Sequence, residues 1–241
     1  MKTIFIFTLL LVNVAAFAQH TVANAHAHND YNHPQPFYTA YNAGFGSIEA
    51  DIFLVDGQLY VAHNAADIRS ERTLAALYLD PLRKKADSLK PLLLLIDIKT
   101  AAKPTLDALV KLLDQYKELT SYRALKIVIS GNRPGDLSSY PIWLYFDGSP
   151  GEQYQSPDKI ALISDNFGKY SSWKGDGPLP EADRKKLESV IAAAHQLKKP
   201  MRFWATPDNE NAWRVLVKLK VDYINTDKIQ ELANFLSTHN R

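Results

Sequence analysis

The sequence contains no cysteine, and this absence excludes several classes of protein at once. Without thiols the chain has no disulfide scaffold, no thiolate metal site and no cysteine nucleophile. An excess of charge of one sign is also lacking, because 28 Lys and Arg residues stand against 26 Asp and Glu residues and the formal net charge is +2. This balance gives no electrostatic footprint for nucleic acid, so we expect no nucleic-acid partner.

Long hydrophobic runs are lacking everywhere except at the N-terminus. Residues 3–15 are mostly apolar, follow the short basic start Met1-Lys2, and precede Ala16-Phe17-Ala18, which matches the small-residue pattern of a cleavage site. The apolar part is shorter than the ~20 residues that a transmembrane helix needs. The pattern predicts a signal peptide over residues 1–18, a secreted or periplasmic protein, and no stable membrane anchor after cleavage.

Residues 19–241 show no internal repeat and no low-complexity tract, so we predict one domain over this range. Short apolar runs, which suit parallel strands that are buried on both faces, alternate with helical patterns. The helical stripes, spaced i, i+3, i+4, i+7, lie near residues 106–113, 187–194, 212–219 and 229–236. Strands are predicted over residues 22–27, 47–55, 92–99, 124–130, 142–146, 160–164, 201–205 and 223–226.

Eight strands interleaved with helices predict an α/β fold of the (β/α)₈ TIM-barrel type, for which ~200–250 residues is a usual size. The predicted strands at residues 124, 142 and 160 start only 18 residues apart, so the barrel should be irregular around strands four to six, with one or two helices short or missing. An open doubly wound sheet is the alternative, but the sequence has no glycine-rich nucleotide-binding motif to support it.

Two carboxylates alternate along the second predicted strand, in the segment Glu49-Ala50-Asp51. Because side chains alternate along a strand, Glu49 and Asp51 share a face, and that face points into the barrel. Asp97 and Lys99 repeat the arrangement at the C-terminal end of the next strand, where barrel enzymes place their sites. Three carboxylates suit one hard divalent cation, Mg²⁺ or Ca²⁺. The alternative is a purely structural ion pair of Asp97 with Lys99.

Only seven histidines are present, and three of them, His26, His28 and His33, cluster at the end of the first predicted strand. His63 ends a short apolar run that follows an Asp-Gly turn and would fold back toward the carboxylates. Two histidines beside a cation suit phosphodiester cleavage, because one imidazole can remove a proton while the other protonates the leaving oxygen. We therefore predict that His28 and His63 are catalytic. His26 has the same strand parity as His28 and faces the same interior, so it either orients His28 or is itself the catalytic residue.

The ordered set of motifs resembles the phosphatidylinositol phospholipase C-like phosphodiesterase superfamily, and within it the glycerophosphodiester phosphodiesterase group. The similarity extends over most of residues 19–241 and includes a closing pattern around residues 202–206 and 221–227. It implies a barrel fold, a cation on Glu49, Asp51 and Asp97, and His28 and His63 as the catalytic pair. It also implies that Trp204 lines the substrate pocket. The residues themselves, apart from the resemblance, lead us to expect that Lys99 and the cation together neutralise charge on the phosphoryl oxygens.

The chain departs from the group's pattern at two positions. Asn29 stands where the group has an arginine after its first histidine, and Asp97 stands where the third metal ligand is usually glutamate. The segment from Asp97 to Thr100 is instead similar to the sphingomyelinase D branch, and the H-x-H-N-D-Y form looks like a poorly characterised branch of bacteria and fungi. Arg133 is predicted to replace the missing phosphate ligand beside Asn29; otherwise it is a solvated turn residue.

The sequence thus predicts an exported, metal-dependent phosphodiesterase that cleaves a glycerophosphodiester-type or phospholipid-type substrate, a small molecule or one derived from lipid. Two alternatives stay open. The pair His26-x-His28 also suits a zinc-dependent hydrolase of the amidohydrolase or phosphoesterase type, which would hold zinc tightly. A barrel that binds a phosphorylated ligand or a glycan without turnover is the other alternative, and a panel of phosphodiesters would distinguish it.

Overall fold

Parallel strands arranged in a ring form the centre of the molecule in the computed structural model, which describes residues 20–238. The predicted signal peptide, residues 1–18, therefore lies outside the described residues. The strands of the described part are β1 (Ala25–Ala27), β2 (Ser47–Val55), β3 (Gln58–Val61), β4 (Leu92–Ile98), β5 (Leu125–Gly131), β6 (Leu144–Gly148), β7 (Ile160–Asn166), β8 (Met201–Trp204) and β9 (Ile224–Thr226).

The ring contains eight of these strands, in the order β1, β2, β4, β5, β6, β7, β8 and β9. All neighbouring pairs along this order are parallel, β1 pairs with β9, and a parallel bridge between Arg202 and Tyr223 joins β8 to β9. The predicted TIM barrel is therefore confirmed. The remaining strand, β3, folds back on β2 as an antiparallel hairpin with Ile52 opposite Val61, as the turn after Val55 predicted.

Helices cover the outside of the ring. They are α1 (Tyr38–Ala43), α2 (Asp80–Lys84), α3 (Ala102–Leu113), α4 (Lys117–Ser121), α5 (Glu181–Gln196), α6 (Glu210–Lys218) and α7 (Ile229–Thr238), and a π-helical turn, Ala75–Leu79, leads into α2. The four apolar stripes seen in the sequence become the buried faces of α3, α5, α6 and α7. Among the described residues, no helix has the length and apolar character that crossing a membrane requires.

Side-chain parity divides the core into two layers. Ile48, Ala50 and Ile52 of β2 belong to the large apolar cluster between the strands and the helices. The opposite parity faces the interior of the ring, where a small apolar cluster includes Leu93, Leu95, Val128, Ala161 and Leu162. This inner cluster fills the lower part of the barrel, so the polar residues that follow on the same faces are held at its C-terminal mouth.

The barrel is irregular on one side, as the strand spacing predicted. Residues 132–143, between β5 and β6, contain no helix, and residues 149–159, between β6 and β7, contain only the short 3-10 turn Pro157–Lys159. The register between β6 and β7 also shifts, with a bulge between Phe146 and Asp147. These two long connections project from the C-terminal edge of the ring, which is the edge that bears the carboxylates.

Two strands begin two or more residues later than predicted. Residues 22–24 form a 3-10 turn instead of the beginning of β1, because the Thr21 side chain accepts a hydrogen bond from the Ala23 N–H and caps the turn. The strand predicted from residue 142 begins at Leu144, because Ile142 lies outside the barrel and is 86% exposed. In both cases an apolar run extended beyond the residues that pair in the sheet.

Close packing at the base of the barrel, where β2 begins, can be tested by substitution. Gly46 precedes β2, and a Cβ atom there would lie 2.1 Å from the backbone oxygen of Ala23. We expect Gly46→Ala to lower the free energy of unfolding by about 2 kcal/mol, because backbone atoms cannot yield to the extra methyl group. Gly135→Ala is the control, since its Cβ would meet nothing within 4 Å. Equal urea midpoints for the two variants would contradict this packing.

Candidate active site

Three carboxylates meet at the mouth of the barrel. Glu49 and Asp51 lie on the interior face of β2, and Asp97 lies directly opposite Asp51 in the register of β2 and β4. One oxygen from each carboxylate lies within 4.8 Å of the others. Glu49 and Asp51 are almost completely buried, at 4% and 2% exposure. Buried carboxylates at this spacing are stable only when positive charge or hydrogen-bond donors meet them.

Lys99 supplies part of that positive charge. Its Nζ lies 2.9 Å from Asp51 Oδ2 and 3.0 Å from Asp97 Oδ1, while the Ser130 hydroxyl donates to the other oxygen of Asp97 at 3.1 Å. Burial and the charge of Glu49 nevertheless raise the pKa of Asp51, even though Lys99 acts against them. The cluster therefore has more negative charge than its neighbours balance. This excess and the all-oxygen donor set fit a hard divalent cation on Glu49, Asp51 and Asp97.

His28 borders the same mouth from the end of β1. Its Nδ1–H donates to Asp227 Oδ1 at 2.8 Å, so its Nε2 points toward Glu49, whose Oε2 is 3.8 Å away. Burial alone would lower the pKa of His28, but the hydrogen bond to Asp227 and the charge of Glu49 together raise it. Asp208 in turn accepts a hydrogen bond from the backbone N–H of Asp227 at 2.9 Å. The His28 imidazole is thus held by the residue that follows β9, 199 residues away in the chain.

His63 approaches the carboxylates from the other side, on the segment that follows β3. Its Nδ1 lies 3.2 Å from the Tyr31 hydroxyl and 3.5 Å from Asp51 Oδ2. The Tyr31 hydroxyl also lies 2.7 Å from Asp51 Oδ2 and 2.6 Å from Asn29 Oδ1, which are both acceptors. Tyr31 is 1% exposed and therefore links one histidine to one carboxylate from below. This role of Tyr31 was not predicted, because its contact with His63 spans 32 residues of sequence.

His26 lies inside the barrel and does not line the cavity. It is completely buried, whereas the side chains of His28 and His63 are 29% and 54% exposed. Its Nδ1–H donates to Ser47 Oγ at 2.7 Å, and Arg202 donates to its Nε2. Burial and the charge of Arg202 lower the pKa of His26 to about 4. Of the alternatives left open for the first cluster, the geometry favours His28 as the residue that meets a substrate.

A cavity of about 470 Å³ opens above these groups. The predicted site residues that line it are Asn29, His28, His63, Glu49, Asp51, Asp97, Lys99, Arg133 and Trp204. Trp204 is 41% exposed and offers its ring to the opening. Arg133 donates to the backbone oxygen of Asp147 and lies 3.4 Å from Ser149 Oγ and 3.6 Å from Glu152 Oε2. Much of its guanidinium is therefore engaged by the protein itself.

The cavity is also lined by polar residues that were not predicted as site residues. Asp147 on β6, Ser164 on β7 and Arg202 on β8 are buried and line the cavity. Asp147 Oδ1, Ser164 Oγ and Arg202 Nε have no well-formed hydrogen bond among the described residues. Burial raises the pKa of Asp147 to about 6. Asp147 and Ser164 lie near the C-terminal ends of barrel strands, and that position was the signal that could have identified them. For Arg202 the signal was its alternation along β8, which places its side chain inside the barrel.

Two family models match parts of the chain. The AIM6-like phosphodiesterase domain matches residues 16–89, the segment that contains both cavity-lining histidines, Glu49 and Asp51. The glycerophosphoryl diester phosphodiesterase family matches residues 200–230, which include Trp204 and Asp227. Two separate pieces of the candidate site thus fall within sequences typical of phosphodiesterase families.

Relatives and solved structures extend the similarity over most of the chain. A protein of Arthroderma benhamiae, "Altered inheritance of mitochondria protein 6 homolog", is 27% identical over 87% of this chain and 82% of its own length. "Altered inheritance of mitochondria protein 6" of Eremothecium gossypii is 25% identical over 89% of this chain and 69% of its own.

Among solved structures, a glycerophosphodiester phosphodiesterase from Parabacteroides distasonis shares the fold. It has a TM-score of 0.56 and 15% identity, and the match covers 92% of this chain and 97% of that one. A glycerophosphodiester phosphodiesterase from Agrobacterium tumefaciens has a TM-score of 0.50 and 16% identity, with 87% and 97% covered. At such identities the comparison concerns the barrel itself.

The predicted secreted or periplasmic location is contradicted by these relatives. Both relatives are named for the inheritance of mitochondria, a name that associates those proteins with mitochondria and not with export. The prediction depended only on residues 1–18, where a basic start, an apolar run and small residues form one of several N-terminal targeting patterns. Such a pattern is too short to specify a compartment.

The Tyr31 hydroxyl can be removed without disturbing the surrounding packing. We expect Tyr31→Phe to lower kcat about ten-fold with little change in KM, because His63 and Asp51 lose a shared partner while the cavity keeps its shape. Tyr78→Phe is the matched control: Tyr78 is equally buried, and its hydroxyl donates to Asp30 at 3.0 Å, away from both histidines. Steady-state kinetics of the two folded variants test this, and equal losses in both would contradict a specific role for Tyr31.

Asp30 gives the fold a pH dependence that can be measured. It accepts hydrogen bonds from the Phe37 N–H and from Tyr78, and burial raises its pKa from 3.8 to about 6. Since the folded pKa lies above the unfolded one, stability present below pH 4 is lost as the pH rises through 6. We expect Asp30→Asn to raise the free energy of unfolding at pH 8 by about 1–2 kcal/mol, and to have much less effect at pH 4. A pH-independent difference in urea unfolding would refute this explanation.

Proposed function

We propose that this chain is a metal-dependent phosphodiester hydrolase; its predicted resemblance to the glycerophosphodiester phosphodiesterase superfamily is confirmed by the family-model matches together with the shared fold. One observation supports the activity most strongly. His28 and His63 line one cavity together with three carboxylates, His28 beside Glu49 and His63 beside Asp51. Two imidazoles with a cation site between them are the groups that a phosphodiester needs for cleavage.

The histidines divide the proton transfers between them. The Nδ1 of His28 is engaged by Asp227 and the Nδ1 of His63 by Tyr31, so each ring has its Nε2 available. One Nε2 accepts the proton of the nucleophile, and the other donates a proton to the leaving alcohol oxygen. The leaving group then departs as a neutral alcohol and the phosphate product stays anionic, so no buried alkoxide forms, which would be costly at this depth.

A divalent cation on Glu49, Asp51 and Asp97 would supply positive charge to a phosphoryl oxygen when bound. Lys99 adds a fixed positive charge next to Asp51 and Asp97. We assign Mg²⁺ or Ca²⁺ to the site because all its donors are oxygens. The zinc alternative required His26 beside His28, and the burial of His26 against Ser47 and Arg202 disfavours it.

The remaining predicted residues act on the substrate. Asn29 begins the turn after β1 with a left-handed backbone, φ 49°, and its N–H points toward Glu49 Oε2 at 3.4 Å. Its side chain lines the cavity, with Oδ1 accepting from the Tyr31 hydroxyl and Nδ2 3.0 Å from His28 Nδ1, and we propose that it contacts the substrate from there. Arg133 offers the cavity-facing edge of its guanidinium, and Trp204 offers an apolar wall. We propose a glycerophosphodiester-type or phospholipid-type substrate on this basis.

The nucleophile is water or a hydroxyl of the substrate itself, and the second route gives a cyclic phosphate first. Phosphorus NMR at an early time point separates the two routes, because a cyclic phosphate has its own chemical shift.

Removing either histidine should abolish most of the activity. We expect His28→Ala and His63→Ala each to reduce kcat at least about 100-fold on a cleavable phosphodiester with added Mg²⁺ or Ca²⁺, because each removes one proton transfer. His195→Ala is the control, since His195 is hydrogen-bonded to Asp222 and does not line the cavity. Near-normal rates in either cavity variant would overturn the assignment, and a folded wild type that cleaves no phosphodiester would favour a binding protein.

A further inference from the structure

One carboxylate, that of Asp208, joins the loop after β8 to the residues at the end of β9. Its Oδ2 accepts a hydrogen bond from the Asp227 backbone N–H at 2.9 Å. Its Oδ1 accepts from the Thr226 hydroxyl at 2.7 Å and from the Trp213 indole N–H at 2.8 Å. Three donors, one from α6 and two at the end of β9, therefore converge on a side chain that does not line the catalytic cavity.

The carboxylate of Asp227, which engages His28, is not held in place by packing. Its side chain is 60% exposed, and its Oδ1 lies 2.8 Å from His28 Nδ1. Holding so exposed a pair in one geometry costs side-chain entropy, and water competes for both partners. Asp227 also lies beyond the end of β9, which contains only three residues and ends at Thr226. The contact with His28 therefore depends on what fixes the backbone of Asp227.

Asp208 fixes that backbone on both sides of Asp227. Thr226, Asp227 and Lys228 are consecutive residues, and each is hydrogen-bonded to Asp208, the last through its Nζ to the backbone oxygen of Asp208 at 2.9 Å. The Lys228 N–H also donates to the Thr226 hydroxyl at 2.8 Å, which closes the turn. The direction in which the Asp227 side chain leaves the turn is thereby set by a residue from the preceding loop.

We propose that Asp208 is a positioning residue that acts through Asp227 on His28. It holds the Asp227 backbone so that the carboxylate stays on His28 Nδ1 and the ring keeps its Nε2 toward the cavity. The inference rests on the proposed function, since it concerns an imidazole to which that function assigns a proton transfer. Because Asp208 does not line the cavity, its effect on the rate is confined to the orientation and the tautomer of this one ring.

Asp208→Asn removes the bond to Asp227 while keeping the size of the side chain. The amide oxygen should face Thr226 and Trp213, since two donors outweigh one, and the NH₂ group then meets the Asp227 N–H, which is also a donor. Trp213→Phe is the matched control, because it removes a different bond to the same carboxylate and leaves the oxygen that faces Asp227 unchanged. Trp213 is 2% exposed, so this control also loses stability.

Steady-state kinetics on a cleavable phosphodiester with added Mg²⁺ measure the effect on the rate. We expect Asp208→Asn to lower kcat about ten-fold with little change in KM, because one proton transfer is misdirected while the cavity is unchanged. Asp227→Ala should also lower kcat, and adding Asp208→Asn to it should cause no further loss, because the two residues act in series. Trp213→Phe should unfold at a lower urea concentration and keep kcat within about two-fold.

Two kinetic results would overturn the proposal. One is an additive loss of kcat in the double variant, which would mean that Asp208 acts without Asp227. The other is an equal loss of kcat in Trp213→Phe and Asp208→Asn, which would mean that the rate follows the general stability of this region.

Nitrogen-15 NMR of the imidazole separates this proposal from the proposed function, because it needs no turnover. In the wild type without added metal, at alkaline pH, the neutral ring of His28 should carry its proton on Nδ1, which faces Asp227. Asp208→Asn should move the proton toward Nε2, Trp213→Phe should leave the spectrum unchanged, and His28→Gln identifies the signals.

The outcomes of the NMR measurement are distinct from those of the kinetics. If the tautomer shifts as expected but the wild type cleaves no phosphodiester, the positioning role of Asp208 is supported and the hydrolase proposal fails. If the wild-type ring carries its proton on Nε2, or if the tautomer is the same in the wild type and in Asp208→Asn, the positioning role is wrong whatever the activity.

Discussion

The burial of Glu49 and Asp51 on one strand face is the constraint on which the rest of the site depends. Carboxylates with 4% and 2% exposure at the mouth of a barrel are stable only with compensating charge. The fold supplies that charge from two directions: Arg202 lies 3.9 Å from Glu49 inside the ring, and Lys99 lies 2.9 Å from Asp51 at the rim. The excess that remains is what a divalent cation would neutralise.

The same constraint organises the histidines. Asp227 and Tyr31 engage the Nδ1 atoms of His28 and His63, so both rings turn their other nitrogen toward the space above the carboxylates. His26, in contrast, is enclosed with Arg202, and its Nε2 lies 3.5 Å from Glu49 Oε2. The polar groups thus form two layers. The buried layer, with His26 and Arg202, balances the charge of Glu49, and the partly exposed layer, with His28 and His63, can contact a substrate.

Sequence parity predicted much of this arrangement, and its limits are physical. Alternation along β2 placed Glu49 and Asp51 together, and the end of the next parallel strand placed Asp97 opposite Asp51. Parity could not separate His26 from His28, because the chain leaves the strand after residue 27. Parity also could not place Arg202 beneath Glu49. Arg202 lies on β8 and reaches Glu49 and His26 across the interior of the ring, although it is 176 residues from His26 in sequence. The shape of the connections after β5 and β6 was not predictable from the sequence either, because irregular connections have no periodicity.

Cation binding tests the central claim most directly. Equilibrium dialysis or calorimetry with Mg²⁺, Ca²⁺ and Mn²⁺ should show one ion per chain, and Asp97→Asn should weaken binding about 100-fold because it removes one of three carboxylate ligands. Asp165→Asn is the matched control: Asp165 also lines the cavity, but its partners are Lys169 and Tyr170. A wild type that binds no divalent cation, or an Asp97→Asn variant that binds it as tightly as the wild type, would contradict the account.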